Sequence, residues 1–235
     1  LKILNININD FGGPENHRED FKNKLGNGKY IQEWDKLNKK ETINSFISKI
    51  DEYKPDITII QEYDIKSKEC REIFEPLMRK KGYILKSEPP TTRASMTVFF
   101  VKNGLRYKYI STGHDRNGRA YAIQVNDFVI YGTHVPPSGD VESFWKEINN
   151  FVQKFKNNKL LLIGDFNTVN FKNNKALDNL LENPIHKIHK IWSHEGCNTP
   201  GDYVLANFDI NQDGIDYFAT KAITDHEFGV VITTD

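Results

Sequence analysis

Cysteine is nearly absent from this 235-residue chain: Cys70 and Cys197 stand far apart and outside any Cys-x-x-Cys pattern. That argues against a disulfide framework or a thiolate zinc site and leaves free thiols in a reducing compartment as the expectation. No run nears the ~20 consecutive apolar residues of a membrane helix, and Leu1-Lys2-Ile3-Leu4 enters a strand-like pattern without a signal-peptide core. A soluble, cytoplasmic protein is expected, with no membrane insertion. Net charge is missing too, with 32 basic against 32 acidic side chains, so the molecule as a whole has no general pull toward nucleic acid or an anionic membrane. There is no Gly/Ser/Pro-rich linker and no internal repeat. Residues 1–235 therefore read as one domain and a monomer, and 38% hydrophobic residues suffice for a core at this length.

What is present is unevenly spread. From Arg79 to Arg119 ten Lys/Arg face only Glu88 and Asp115, a net of +8, whereas from Glu195 to Asp235 eight acids face Lys221 alone, a net of −7. The first segment suits phosphates and the second a cation; two solvated faces of differing sign are the plainer alternative.

Apolar spacing alternates along the chain between period 2 and period 3.6. Leu4, Ile6 and Ile8 alternate with Asn5, Asn7 and Asn9 in a first strand, and Asp10 to Lys29 reads as a long polar loop. Ile43, Phe46, Ile47, Ile50 and Tyr53 mark a helix face ended by Pro55. Asp56 to Ile60 is a nearly continuous apolar run, as in a strand covered on both faces. Cys70, Ile73, Phe74 and Leu77 suggest a second helix kinked at Pro76. Further strands are expected over 97–101, 120–125, 128–131, 160–163, 215–219 and 228–233, with Asn126-Asp127 as a hairpin turn. Val141, Phe144, Trp145, Ile148, Phe151, Val152 and Phe155 trace an amphipathic helix capped by Ser138 or Asp140.

Polar side chains follow the apolar strands in a consistent way. Asn7 ends the first strand, Gln61-Glu62 follows Thr58-Ile59-Ile60, His134 follows Val129-Ile130-Tyr131, and Asp165 and Asn167 follow Leu161-Leu162-Ile163-Gly164. Strand ends converge at one rim of a sheet, so these groups can form one cluster, which Asp225-His226 would join. Singly, each has a plain alternative as a cap, a turn residue or a backbone-satisfied histidine.

In combination these stretches resemble the endonuclease/exonuclease/phosphatase superfamily, which includes deoxyribonuclease I. The resemblance is carried by Leu1 to Asn7, Asp56 to Glu62, Tyr131-Gly132-Thr133-His134, Leu162 to Asn167, Gly214-Ile215-Asp216-Tyr217-Phe218 and Ile223-Thr224-Asp225-His226, in family order from end to end. It implies an α+β fold, a four-layer αββα sandwich of two facing mixed β-sheets with helices on the outer faces. It also implies metal-dependent hydrolysis of a phosphoester. By position, Glu62 is the main metal ligand, with Asn7 and Asp225 around the metal. Asp165 orients or deprotonates the attacking water, Asn167 holds a phosphate oxygen, Asp216 buttresses His226, and His134 is the second histidine at the phosphate. No acidic partner for His134 is found near Ser95-Met96-Thr97, where the deoxyribonuclease branch would place one.

The chemistry fits such a set. A phosphodiester is anionic and repels hydroxide, so a site must neutralise charge and fix an in-line water. Carboxylate and amide oxygens without thiolates select a hard cation, Mg²⁺ first, then Mn²⁺ or Ca²⁺. Arg93, Arg116 and above all Arg119 are the candidates for substrate phosphates, with surface ion pairs as the alternative. Asp209-Ile210-Asn211-Gln212-Asp213-Gly214 resembles the start of an EF-hand loop, but Thr220 stands at the twelfth position, so a turn is favoured. His186, His189 and His194 lack a completing Cys or Asp and read as structural. The expected activity is a nuclease or other phosphodiesterase acting on nucleic acid. A phosphomonoesterase or lipid phosphodiesterase is the alternative, and a non-catalytic binding domain the third reading.

Overall fold

The computed structural model describes residues 1–11, 27–87, 95–113, 117–193, 201–220, 223 and 228–234. Two six-stranded sheets are built around central parallel pairs. The first pair is β1 (Lys2–Asn7) and β2 (Ile57–Asp64), joined through helix α1 (Asn27–Tyr53). The second is β7 (Phe128–His134) and β8 (Lys159–Asp165), joined through α3 (Val141–Phe155). Antiparallel strands extend each pair. Around the first lie β3 (Tyr83–Lys86), β4 (Ser95–Lys102), β11 (Ile215–Ala219) and β12 (Phe228–Thr233), in the order β11-β12-β1-β2-β4-β3. Around the second lie β5 (Lys108–Ile110), β6 (Ala120–Val125), β9 (His189–Ser193) and β10 (Asp202–Ala206), in the order β5-β6-β7-β8-β10-β9.

Three apolar clusters define the layers. Ile3, Ile59, Phe99, Ile130, Ile163 and Val230 lie between the sheets. Leu4, Ile6, Phe46, Ile50, Phe74 and Phe100 pack the outer face of the first sheet against α1 and the short α2 (Glu75–Lys80). Tyr131, Phe144, Trp145, Ile148, Leu162 and Leu180 pack the second sheet against α3 and α4 (Phe171–Glu182). This is the expected α+β sandwich of four layers. The central strands are buried on both faces, which is why Ile57 to Ile60 and Leu160 to Ile163 read as continuous apolar runs.

Several boundaries depart from the sequence expectation. Helix α1 starts at Asn27, so residues 27–29 are helical and not loop; its early turns interleave Lys29, Gln32, Glu33 and Lys36, which favour helix, with Tyr30, Ile31, Trp34 and Leu37 at helical spacing. Pro76 sits within a continuous helical run, directly after a π segment over Cys70–Phe74 that passes into α2 with helical backbone angles at Phe74 and Glu75, so the expected irregularity at the proline takes the form of a change in hydrogen-bond period. Asp140, and not Ser138, caps α3 by accepting from the Ser143 amide at 3.1 Å. The 209–214 segment leads into strand β11 with no exiting helix, so the turn reading stands. No described helix is long and apolar enough to cross a membrane.

Candidate active site

The parallel pairs end at the same pole, and each delivers two polar side chains in register. Asn7 lies opposite Gln61, the residue before Glu62, and His134 lies opposite Asp165. Glu62 is aimed by a backbone device: the β2–β4 register slips between Ile60 and Tyr63, and Glu62 itself adopts φ +53°. A bulge of this kind redirects a side chain out of the pleat, at a backbone cost that persists where surrounding structure enforces it.

Ligating atoms of Glu62, His134 and Asp165 lie within 4.8 Å of one another. His134 Nε2 is 3.6 Å from Glu62 Oε1 and 3.7 Å from Asp165 Oδ2. Asn7 Nδ2 donates to both of those carboxylate oxygens, at 3.1 and 3.2 Å, while its Oδ1 accepts from the Asn9 amide at 3.0 Å. Two acids from different sheets are thus drawn together by one amide. In this arrangement Asn7 serves as a donor to the carboxylates. Asn7, His134 and Asp165 are buried; Glu62 is partly open to solvent.

Asp165 is held from its other side. Its Oδ1 accepts the Asn167 amide at 2.8 Å, and Gly201 approaches so closely that an added Cβ would lie 3.0 Å from that oxygen. Asn167, at φ +49°, donates Nδ2 to the Val135 carbonyl at 2.6 Å. An amide nitrogen carries two hydrogens, which leaves a second donor on Asn167 for a substrate oxygen. Beneath the site, buried Gln61 donates Nε2 to Asn5 Oδ1 at 2.7 Å.

Half-buried Arg119 sits beside this cluster, its Nη1 donating to the His134 carbonyl at 3.2 Å and its own carbonyl accepting the His134 amide at 2.8 Å. Among the described residues, the carboxylates facing His134 are the site's own, Glu62 and Asp165; Thr97, in the strand lacking the acidic partner, donates to the Arg119 carbonyl at 3.0 Å. Asp216 lies elsewhere, on β11 opposite Val231, a residue of the outer cluster of the first sheet. There it acts on Tyr53, whose phenol is pushed up to about 12, first by burial and then by the Asp216 charge. Asp225, His226, Arg93 and Arg116 lie outside the described residues.

The donor set fits a hard divalent cation. Two carboxylates converge with an imidazole and no thiolate, and the one described cysteine, Cys70, is buried in the outer core of the first sheet. Sequence reasoning missed Asn170 and Asn173, which bind the loops that follow His134 and Asp165. Their recurrence three residues apart from Asn167 was the available signal.

No protein-family model matches the chain, and no curated protein matches it either. Its fold is shared with solved structures that include nucleases, a phosphatase and an endonuclease/exonuclease/phosphatase family protein. It is similar to the catalytic domain of human Nocturnin with bound sulfate, at 15% identity and TM-score 0.61, covering 99% of this chain and 92% of that one. An endonuclease/exonuclease/phosphatase family protein from Leptotrichia buccalis C-1013-b aligns at 18% identity and TM-score 0.63, over 100% and 99% of the two chains. The 3′ phosphatase NExo from Neisseria, bound to a product DNA hairpin, aligns at 13% identity and TM-score 0.57, over 100% and 99%. At such identities the likeness establishes the shared fold, as the sequence motifs led one to expect.

Proposed function

We propose that this chain is a divalent-metal-dependent phosphodiesterase that cleaves nucleic acid by in-line attack of water, with Mg²⁺ as the working ion. The observation that carries the reading is the convergence of Glu62, His134 and Asp165 within 4.8 Å, from two different sheets. Glu62 and Asp165 are the described residues that would hold the ion, with Asp225 and a turned Asn7 amide as further ligands. Bound there, the cation supplies positive charge against the phosphoryl and leaving oxygens.

The remaining work falls to the chain's own groups. Asp165, fixed by the Asn167 amide, accepts a proton from, or orients, the attacking water. The second N–H of Asn167 holds a phosphate oxygen, and His134 adds a donor on the same anion. His226, outside the described residues, contributes a second positive centre in this reading. Arg119, beside His134, and Arg93 and Arg116 from the basic segment meet flanking phosphates.

A phosphomonoesterase is the second reading, favoured by the NExo likeness, because that protein is a 3′ phosphatase on the same fold. The test is hydrolysis of plasmid DNA, RNA, a simple phosphodiester and inositol phosphates, each with Mg²⁺ and with EDTA. Cleavage of polymer but not monoester, lost with EDTA and reduced roughly 10²-fold or more in Glu62→Gln and Asp165→Asn, is expected. Monoester cleavage alone would select the second reading. Inertness toward all four, under conditions where a related enzyme is active, would leave a binding domain.

A further inference from the structure

The segment leaving His134 is Val135-Pro136-Pro137, and its two prolines have no N–H with which to join a sheet. Only the Val135 amide bonds as backbone, to the Asp165 carbonyl at 2.8 Å. The three consecutive carbonyls that follow are each taken by an asparagine from the loop and helix that leave Asp165. Asn167 Nδ2 donates to the Val135 carbonyl at 2.6 Å, Asn173 Nδ2 to that of Pro136 at 3.0 Å, and Asn170 Nδ2 to that of Pro137 at 2.7 Å.

Asn173 is the central rung. It is fully buried, and its Nδ2 also donates to the Asn167 carbonyl at 3.2 Å, while its Oδ1 accepts from Trp145 Nε1 at 2.9 Å. One side chain therefore joins the main chain just after His134, the main chain at Asn167, and α3. Asn170 has a double role as well: its Oδ1 caps α4 by accepting the Lys172 amide at 2.8 Å. The three asparagines stand at spacings of three, so that 170 and 173 share one face of α4 while 167 closes a turn through the Asn170 amide.

We infer that Asn173, with Asn170 supporting it, is a positioning residue for the reaction, fixing the Asn167 amide and the His134 strand end relative to Asp165. The inference rests on the phosphoesterase reading. A buried asparagine that merely satisfied loop carbonyls would affect stability alone. This one ends on the carbonyl of Asn167 itself and on the residue two beyond His134, so losing it lets the two halves of the site move independently. A displacement of about 1 Å between groups that must act together can cost on the order of 10²-fold in rate.

Two Asn173 variants test this. Asn173→Asp keeps the oxygen facing Trp145 and removes both donated bonds; Asn173→Ser removes them without adding charge. Leu180→Val, at a buried residue of the same helix that makes none of these bonds, measures the effect of a loosened helix alone. Both Asn173 variants should lower kcat roughly tenfold or more with KM changed less than about threefold. Amide exchange across residues 166–170 should also speed up, whereas Leu180→Val leaves kcat within about twofold. A normal kcat in either Asn173 variant, or a kcat loss in Leu180→Val matching theirs at equal melting temperature, overturns the inference. A wild-type chain inert toward every phosphoester would count against the phosphoesterase reading itself, and exchange would then decide: unchanged protection across residues 166–170 overturns the positioning role.

Discussion

His186 shows how a single side chain off the site shapes stability. It is buried after α4, its Nδ1 has no hydrogen-bond partner, and burial, with the Lys156 charge second, holds its pKa below the ordinary 6.5. The folded chain therefore resists a proton that the unfolded chain accepts. Its contribution is fully present above about pH 6.5 and is lost as pH falls below that value. Urea midpoints at pH 7.5 and 5 should drop further in the wild type than in His186→Leu; an equal drop in both would refute this. The site side chains were legible because each follows an apolar strand and strand ends meet. Asn7, Glu62, His134 and Asp165 converge as that pattern implies. Asp216 is different: strand alternation places it on the outer face beside Tyr53, and only register shows which face a strand presents. The Asn7 amide likewise shows a donor role that its residue type alone leaves open, since the same group can ligate or donate.

At the scale of elements, legibility followed apolar periodicity. Helix α3 carries Val141, Phe144, Trp145, Ile148, Phe151 and Val152 on one buried face, and strands β6, β11 and β12 have the expected limits. Strands β3, β5 and β9 escaped because edge strands are short and mix exposed with buried positions, leaving no run to read. Helix α4 escaped for a similar reason. Its first turns, Phe171-Lys172-Asn173-Asn174-Lys175, carry an exposed phenylalanine and buried Asn173, so polarity runs opposite to burial there. The same inversion hides the asparagine rungs. Where a cap is concerned the prediction is direct. Asp140→Ala removes the acceptor for the Ser143 amide at the start of α3 and should cost about 1 kcal/mol in urea unfolding. Asp140→Asn, which retains an acceptor oxygen, should cost much less; equal losses would mean that the cap bond does not matter.

The whole molecule is two sheets closed over one interior, and the candidate site lies on the seam between them. Gly132, two residues before His134, marks how closely the sheets approach: a Cβ there would come within 2.5 Å of the Phe99 ring and 2.8 Å of Ile59. Glu62 belongs to one sheet and Asp165 to the other, so their like charges push the sheets apart at this rim while the Asn7 amide, donating to both, holds them. A cation shared by the two acids would be a cross-sheet clamp, bound by the folded chain and not by the unfolded one. Folding and binding are then linked: at a free Mg²⁺ concentration about 100 times the dissociation constant, stability should rise by about 2.7 kcal/mol. Melting temperature should therefore climb with MgCl₂ and return with EDTA in the wild type. Asp165→Asn and Glu62→Gln should remove most of that climb. In EDTA Glu62→Gln should melt no lower than the wild type, since it removes one of two repelling charges while keeping an oxygen that can accept from Asn7, whereas Asp165→Asn sets an NH₂ against either the Asn7 or the Asn167 donor and should melt lower. Mg²⁺-dependent stabilisation that survives in both variants would place the ion elsewhere, and with it the chemistry assigned to this rim.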